Sequence, residues 1–157
     1  MRVRLIHGDI GSGKTRRAAA WVKSEGLAGR MVAGVLALKA PAGRQFMDIA
    51  SGDQVALEHP AENEVAVPVG RFQFRQAAFD WAVDWIEQSL GQVGSVVIDE
   101  VGPLELRGAG FAPLLDRLAH DHPGIQRVLL VRTGLVEAVT DRFCRDAATI
   151  FDPARNL

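Results

Sequence analysis

The residues Gly8-Asp9-Ile10-Gly11-Ser12-Gly13-Lys14-Thr15 have the spacing G-x-x-x-x-G-K-[ST], a combination suited to holding a chain of phosphates. Glycines let the backbone wrap closely and take positive φ where a side chain would resist. Successive N–H groups then converge as an anion nest at the start of a helix. Lys14 places a point charge between the β- and γ-phosphates of a nucleoside triphosphate, and Thr15 offers its hydroxyl to Mg²⁺. Arg16 follows directly and is counted with the loop as a nucleotide contact. A glycine-rich turn that merely joins strand to helix is the weaker reading, because the full string is rare by chance and an apolar run precedes it.

A second constellation is Ser95-Val96-Val97-Ile98-Asp99-Glu100, an apolar strand ending in acids. Alone it would mean little, since buried strands often end in Asp. Behind a matched phosphate loop it reads as the Walker B pattern, with Asp99 holding the Mg²⁺ that Thr15 also contacts. Glu100 decides between reactions. A carboxylate just past the metal-binding acid can orient and deprotonate an attacking water, which favours hydrolysis over phosphoryl transfer. The competing reading makes Glu100 a solvated loop acid or the partner of a nearby arginine. A further cation is wanted for charge building on the γ-phosphate, and Arg107 and Arg132 stand where one could act, with Thr133 as a polar sensor. The plainer reading, a surface or ion-pairing arginine and an ordinary surface threonine, carries more weight for each. The guanine-reading string Asn/Thr-Lys-x-Asp does not occur, so base discrimination is expected to be loose.

From Asp99 the chain continues Val101-Gly102-Pro103-Leu104-Glu105-Leu106. This run, together with Gly8–Thr15, resembles the THEP1-like nucleoside-triphosphatases, whose extended Walker B has the form Asp-Glu-Ile-Gly-x-Met-Glu-Leu. Gly34 through Ala37, Arg44-Gln45-Phe46, the turn at Gly52 and the aromatic Phe111 fall where that family has its second strand, its β insertion and an aromatic after the motif. The resemblance spans nearly the whole chain. It implies a RecA-like P-loop core and Mg²⁺-dependent hydrolysis of nucleoside triphosphates with broad base tolerance. It also makes Glu105 a candidate second acid near the water or metal; the alternative is that Glu105 positions the following helix. Val101 and Leu104 depart mildly from the family string, and Arg16-Arg17 replace Thr-Leu-like residues, which bears on substrate preference more than on catalysis.

The elements that must position these groups follow from apolar patterning. Val3–His7, Met31–Leu38, Ser95–Asp99 and Arg127–Val131 read as buried parallel strands, with Thr149-Ile150-Phe151 as a shorter fifth. Helical spacing predicts Lys14–Glu25, stopped by Gly26, then a helix presenting Phe74, Ala78, Trp81 and Trp85 on one face, then Phe111–His120 and Gly134–Phe143. Trp81 and Trp85 are read as core anchors rather than a base-stacking platform. Around residues 44–74 the pattern turns to β. Phe46–Ala50 and Gln54–Glu58 flank the turn Ser51-Gly52-Asp53 as a hairpin, and Val65–Phe74 reads as one further strand that Pro68 confines to an edge or breaks. The expectation is a single α/β domain over 1–157: a mainly parallel sheet flanked by helices, with a small β-hairpin insertion.

Composition narrows the setting. The chain has 157 residues and a formal net charge of -1, so no global field draws it to nucleic acid or an anionic membrane. A protein partner is left open. The single cysteine, Cys144, lies in an apolar-periodic stretch and is read as packing. With no disulfide to form, no signal-peptide pattern and no apolar run near the ~20 residues a bilayer needs, the expected setting is the cytoplasm. His7 is read as ending a strand, and His59, His120 and His122 lack metal-ligand spacing. Two other functions fit a phosphate loop on a small domain: a kinase for a small metabolite, and a nucleotide-binding adaptor resembling those of molybdenum-cofactor assembly.

Overall fold

A computed structural model describes residues 2–145 and 148–150. Strand β1 (Val3–His7) runs into the phosphate loop and helix α1 (Lys14–Leu27). Strand β2 (Val32–Ala40) turns back into β3 (Gly43–Asp48), followed by the short β4 (Gln54–Ala56). A separate hairpin, β5 (Ala66–Val69) and β6 (Phe72–Arg75), leads into α2 (Gln76–Ser89). Then come β7 (Ser95–Asp99), the single turn α3 (Pro103–Leu106), α4 (Ala112–Asp121), β8 (Gln126–Val131), α5 (Val136–Phe143) and β9 (Ala148–Ile150).

Seven strands form one sheet in the order β4-β3-β2-β7-β8-β1-β9. From β2 to β9 every pairing is parallel, while β3 and β4 extend the sheet antiparallel at one edge. The strand before the loop and the strand ending in Asp99 are therefore separated by β8, the RecA-like arrangement that the family resemblance implies. Register brings their ends level: Asp99 pairs with Leu130, and His7 with Val131. The carboxyl ends of these strands thus share one edge, where ligands bind in open α/β sheets.

Alternation along the strands divides the core in two. Ile6, Leu36, Val97, Val128 and Leu130 face Ala18 and Trp21 of α1. Leu5, Val35, Val96, Ile98, Leu129 and Val131 point the other way, into the larger cluster with α2, α4 and α5. Cys144 is buried in that second cluster and behaves as packing, as the sequence suggests. No described helix is long and apolar enough to cross a membrane.

Four local expectations need correction. Helix α1 passes through Gly26 and ends at Leu27; the reversal comes at Gly29, whose φ of 75° allows the left-handed turn that closes the helix. In α2 the helical period is right but its phase is shifted. Ala78, Phe79, Ala82 and Ile86 form the buried line, Trp81 and Trp85 flank it half-buried, and Phe74 belongs to β6. Residues 65–74 are not one strand. Gly70, at φ 57°, folds them into the β5–β6 hairpin, with Pro68 opposite Gln73. The proposed Phe46–Ala50 and Gln54–Glu58 hairpin exists around Ser51-Gly52-Asp53, but its first strand begins earlier because it also pairs with β2. Of the fifth strand, Phe151 lies outside the described residues.

Gly34 sets how close β2 comes to β7. It lies opposite Val97 with φ 138°, and a Cβ there would stand 2.1 Å from the Val97 carbonyl oxygen. We expect Gly34→Ala to lower unfolding free energy by about 2–3 kcal/mol in urea titrations, through steric overlap plus backbone strain. An unchanged unfolding midpoint would show that the strands can part there without cost.

Candidate functional site

The phosphate loop takes the form that its glycines permit. Gly11 and Gly13 have φ of 76° and 85°, and at Gly8 a Cβ would lie 2.3 Å from Ser12 Oγ, so a side chain there would make the Ser12 hydroxyl turn aside. Gly13 is the N-cap of α1 and makes no side-chain cap, so the first-turn N–H groups of the helix face outward as an anion site. Asp9 and Ile10 stand exposed at the loop's tip. Lys14 is 7% exposed and folds back over the loop, donating to the carbonyls of Gly8 and Asp9 at 3.0 and 3.2 Å. Arg16 is exposed on the rim, while Arg17 donates to the His7 carbonyl beneath the loop.

The two constellations meet at one bond. Thr15 Oγ1 donates to Asp99 Oδ2 at 2.7 Å, joining the start of α1 to the end of β7. The backbone N–H of Ala37, in β2 just past its pairing with β7, donates to the same oxygen at 3.0 Å. Asp99 is 3% exposed, and burial pushes its carboxyl up to about 6 against the pull of these two hydrogen bonds. A buried carboxylate with a hydroxyl beside it is a seat for a hard cation, whose charge would offset the cost of desolvation.

Glu100 extends from the next residue and keeps about a third of its side chain open to solvent, so water can reach it. Arg132, just past β8, brings Nε to 2.9 Å from Glu100 Oε1. The N–H is not aligned on that oxygen, so the contact is an ion pair without a formed hydrogen bond. Thr133 is exposed beside His7, whose Nδ1 lies 3.4 Å from its hydroxyl, and its N–H donates to the Gly8 carbonyl. Both residues are brought to the loop by the β1–β8 pairing.

Glu105 and Arg107 are engaged differently. Glu105 is 3% exposed and accepts N–H bonds from Gly102 at 3.0 Å and from Phe111 at 3.1 Å. It reaches back to cap α3 and ties that turn to the start of α4, where the Phe111 ring packs on Phe46 and Phe79. The geometry favours the positioning alternative raised by the sequence. Arg107 is exposed and donates to the Pro68 carbonyl of the β5–β6 hairpin. Lys14, Thr15, Arg16, Asp99, Glu100, Glu105, Arg107 and Arg132 line one cleft of about 650 Å³, whereas Gly8, Asp9 and Thr133 do not border it.

Burial raises the Glu105 carboxyl from 4.5 to about 7, despite the opposing N–H bonds. With the folded value above the unfolded one, its contribution to stability is complete below about pH 4.5 and is lost as pH rises through about 7. The unfolding free energy of the native chain minus that of Glu105→Gln should therefore fall between about pH 5 and about pH 8. Urea titrations across that window test this, and a difference that stays flat or grows would contradict it.

The fold and site can be set against known proteins. A family model described as NTPase matches residues 4–152. A search of curated proteins finds no match. Among solved structures, the chain is similar to the solution structure of a human cancer-related nucleoside triphosphatase, with a TM-score of 0.71 at 19% identity, covering 97% of this chain and 88% of that one. It is also similar to the crystal structure of THEP1 from the hyperthermophile Aquifex aeolicus, with a TM-score of 0.70 at 19% identity, covering 96% and 88%. At that identity the structural likeness speaks for the fold. The family match spans almost the whole chain, including both constellations, and the chain belongs to the THEP1-like NTPase family.

Proposed function

We propose that the protein hydrolyses nucleoside triphosphates to the diphosphate and phosphate, with Mg²⁺ and with loose preference for the base. The observation that carries this reading is the water-accessible Glu100 carboxylate, one residue past the Thr15–Asp99 bond and steadied by Arg132. Membership of the NTPase family supports it.

The metal fits the donor set. Thr15 and Asp99 offer two hard oxygens at one point, and among the described residues no group of three or more His, Cys, Asp or Glu forms a dedicated cage. Mg²⁺ suits so sparse a site, since it keeps waters and shares substrate phosphates. Bound with the nucleotide, it would neutralise charge on the β- and γ-phosphate oxygens.

The chain's own groups divide the remaining work. Loop N–H groups hold the phosphates, and Lys14 exchanges its two carbonyl contacts for phosphate oxygens. Glu100 accepts a proton from water as the water oxygen bonds to the γ-phosphorus and the bond to the β-phosphate oxygen breaks. Arg132 orients Glu100 and supplies a cation beside the reacting phosphate. Arg107 is set toward the β5–β6 hairpin rather than toward Glu100. Thr133 is suited to sense the phosphate end through its link to the Gly8 carbonyl.

Two substitutions test this assignment. Glu100→Gln should bind ATP but hydrolyse it at least ~100-fold more slowly in single-turnover assays, the lower range for loss of a general base. Lys14→Ala should lose both binding and turnover. Hydrolysis of ATP, GTP, CTP and UTP by the native protein should fall in a narrow range. Wild-type single-turnover rates in Glu100→Gln would remove that residue as the base.

A further inference from the structure

The cleft does not end at Glu100. It continues past Pro103 and Leu104 over an apolar floor made by Phe46, Phe74 and Phe79. Val69 and Phe72 of the β5–β6 hairpin form one wall. Phe72 stays half-buried and stacks on Phe74, with ring centroids 6.0 Å apart and planes 17° from parallel.

Cations surround this floor. Arg44 stands 4.6 Å from the centre of the Phe72 ring and Arg71 stands 5.0 Å from it. Lys39 and Arg107 line the same cleft. None of the four makes an ion pair with a described residue. The acids of the cleft, Asp99, Glu100 and Glu105, are engaged with Thr15, Arg132 and backbone N–H groups respectively. This part of the cleft is therefore apolar below and positive at its rim, the complement of a ring that carries an anion.

We propose that the outer part of the cleft is a second ligand site, for a planar aromatic or heteroaromatic molecule bearing one carboxylate or phosphate group. Its ring lies along Phe72 and Phe74, and its anion meets Arg44 and Arg71. It binds together with the nucleoside triphosphate, on the side where Glu100 faces the reacting phosphate. The proposal rests on the triphosphate being seated in the Gly8–Thr15 loop.

Isothermal titration tests both layers in turn. The affinity of Mg²⁺ with adenylyl imidodiphosphate is measured first; adenosine 5′-monophosphate and 2-naphthoate are then titrated separately into the saturated complex. At least one probe should bind saturably. Binding of the monophosphate alone marks the ligand as a nucleotide, and binding of naphthoate as an aromatic acid. Arg71→Glu and Phe72→Ala should each weaken that event by about tenfold or more. The affinity of the imidodiphosphate should stay within about twofold in both variants, since neither side chain belongs to the phosphate cradle. The proposal is overturned if neither probe saturates, if probe and imidodiphosphate compete, or if both variants weaken the two alike, in which case the floor seats the nucleotide's own base. Failure of the imidodiphosphate to bind the native protein would instead overturn the reading of the loop.

Discussion

One hydrogen bond, from Thr15 to Asp99, ties together parts of the chain that are otherwise distant. It joins the first turn of α1 to the end of β7, across 84 residues of sequence. The bond forms only if β7 lies two places from β1, if α1 packs on the sheet through Ala18 and Trp21, and if the strand ends are level. The Ala37 N–H adds a third element, and Gly34 lets β2 approach β7 closely enough for it to reach. The site is thus a consequence of sheet order, and its buried carboxylate is tolerable because donors surround it.

A second set of contacts shapes what lies beyond the phosphates. Glu105 holds Gly102 and Phe111 by their N–H groups, which fixes the path of the chain after Glu100. Phe111 in turn packs with Phe46 and Phe79, from β3 and α2, so the aromatic cluster supports the loop after Glu100 from below. The same cluster floors the outer cleft. Arg107 ties the β5–β6 hairpin to this loop through Pro68, which couples the wall of the cleft to the segment bearing Glu100. A ligand on that wall would therefore touch residues already linked to the segment that carries Glu100.

Much of this was legible in the sequence because the chemistry is local. The phosphate loop needs particular backbone angles at Gly11 and Gly13, and only glycine supplies them cheaply, so the residue types reveal the conformation. Continuous apolar runs marked the buried strands for a similar reason. What failed depended on partners far away. The phase of α2 differs from the one its pattern suggests because the large tryptophans outweigh Phe79 and Ile86 there, while tertiary packing buries the line Ala78, Phe79, Ala82 and Ile86. The β5–β6 hairpin was missed because a two-residue turn at Gly70-Arg71 is brief, although Gly70 was its available signal. An arginine partner for Glu100 was one of the readings open in the sequence, but Arg132 could not be singled out as that partner, since only the adjacency of β7 and β8 brings the two residues together. Glu105 looked equally suited to catalysis or to capping until its N–H donors were known.

The central claim is that Thr15 and Asp99 act as one seat for the metal that accompanies the nucleotide. A double-mutant cycle with Thr15→Ala and Asp99→Asn, read as ATP affinity with and without Mg²⁺, tests it most directly. Each single variant should lose most of the Mg²⁺-dependent gain in affinity, and the double variant little more, because the two oxygens serve the same ion. Losses that simply add, or a gain from Mg²⁺ that survives in either single variant, would contradict the account.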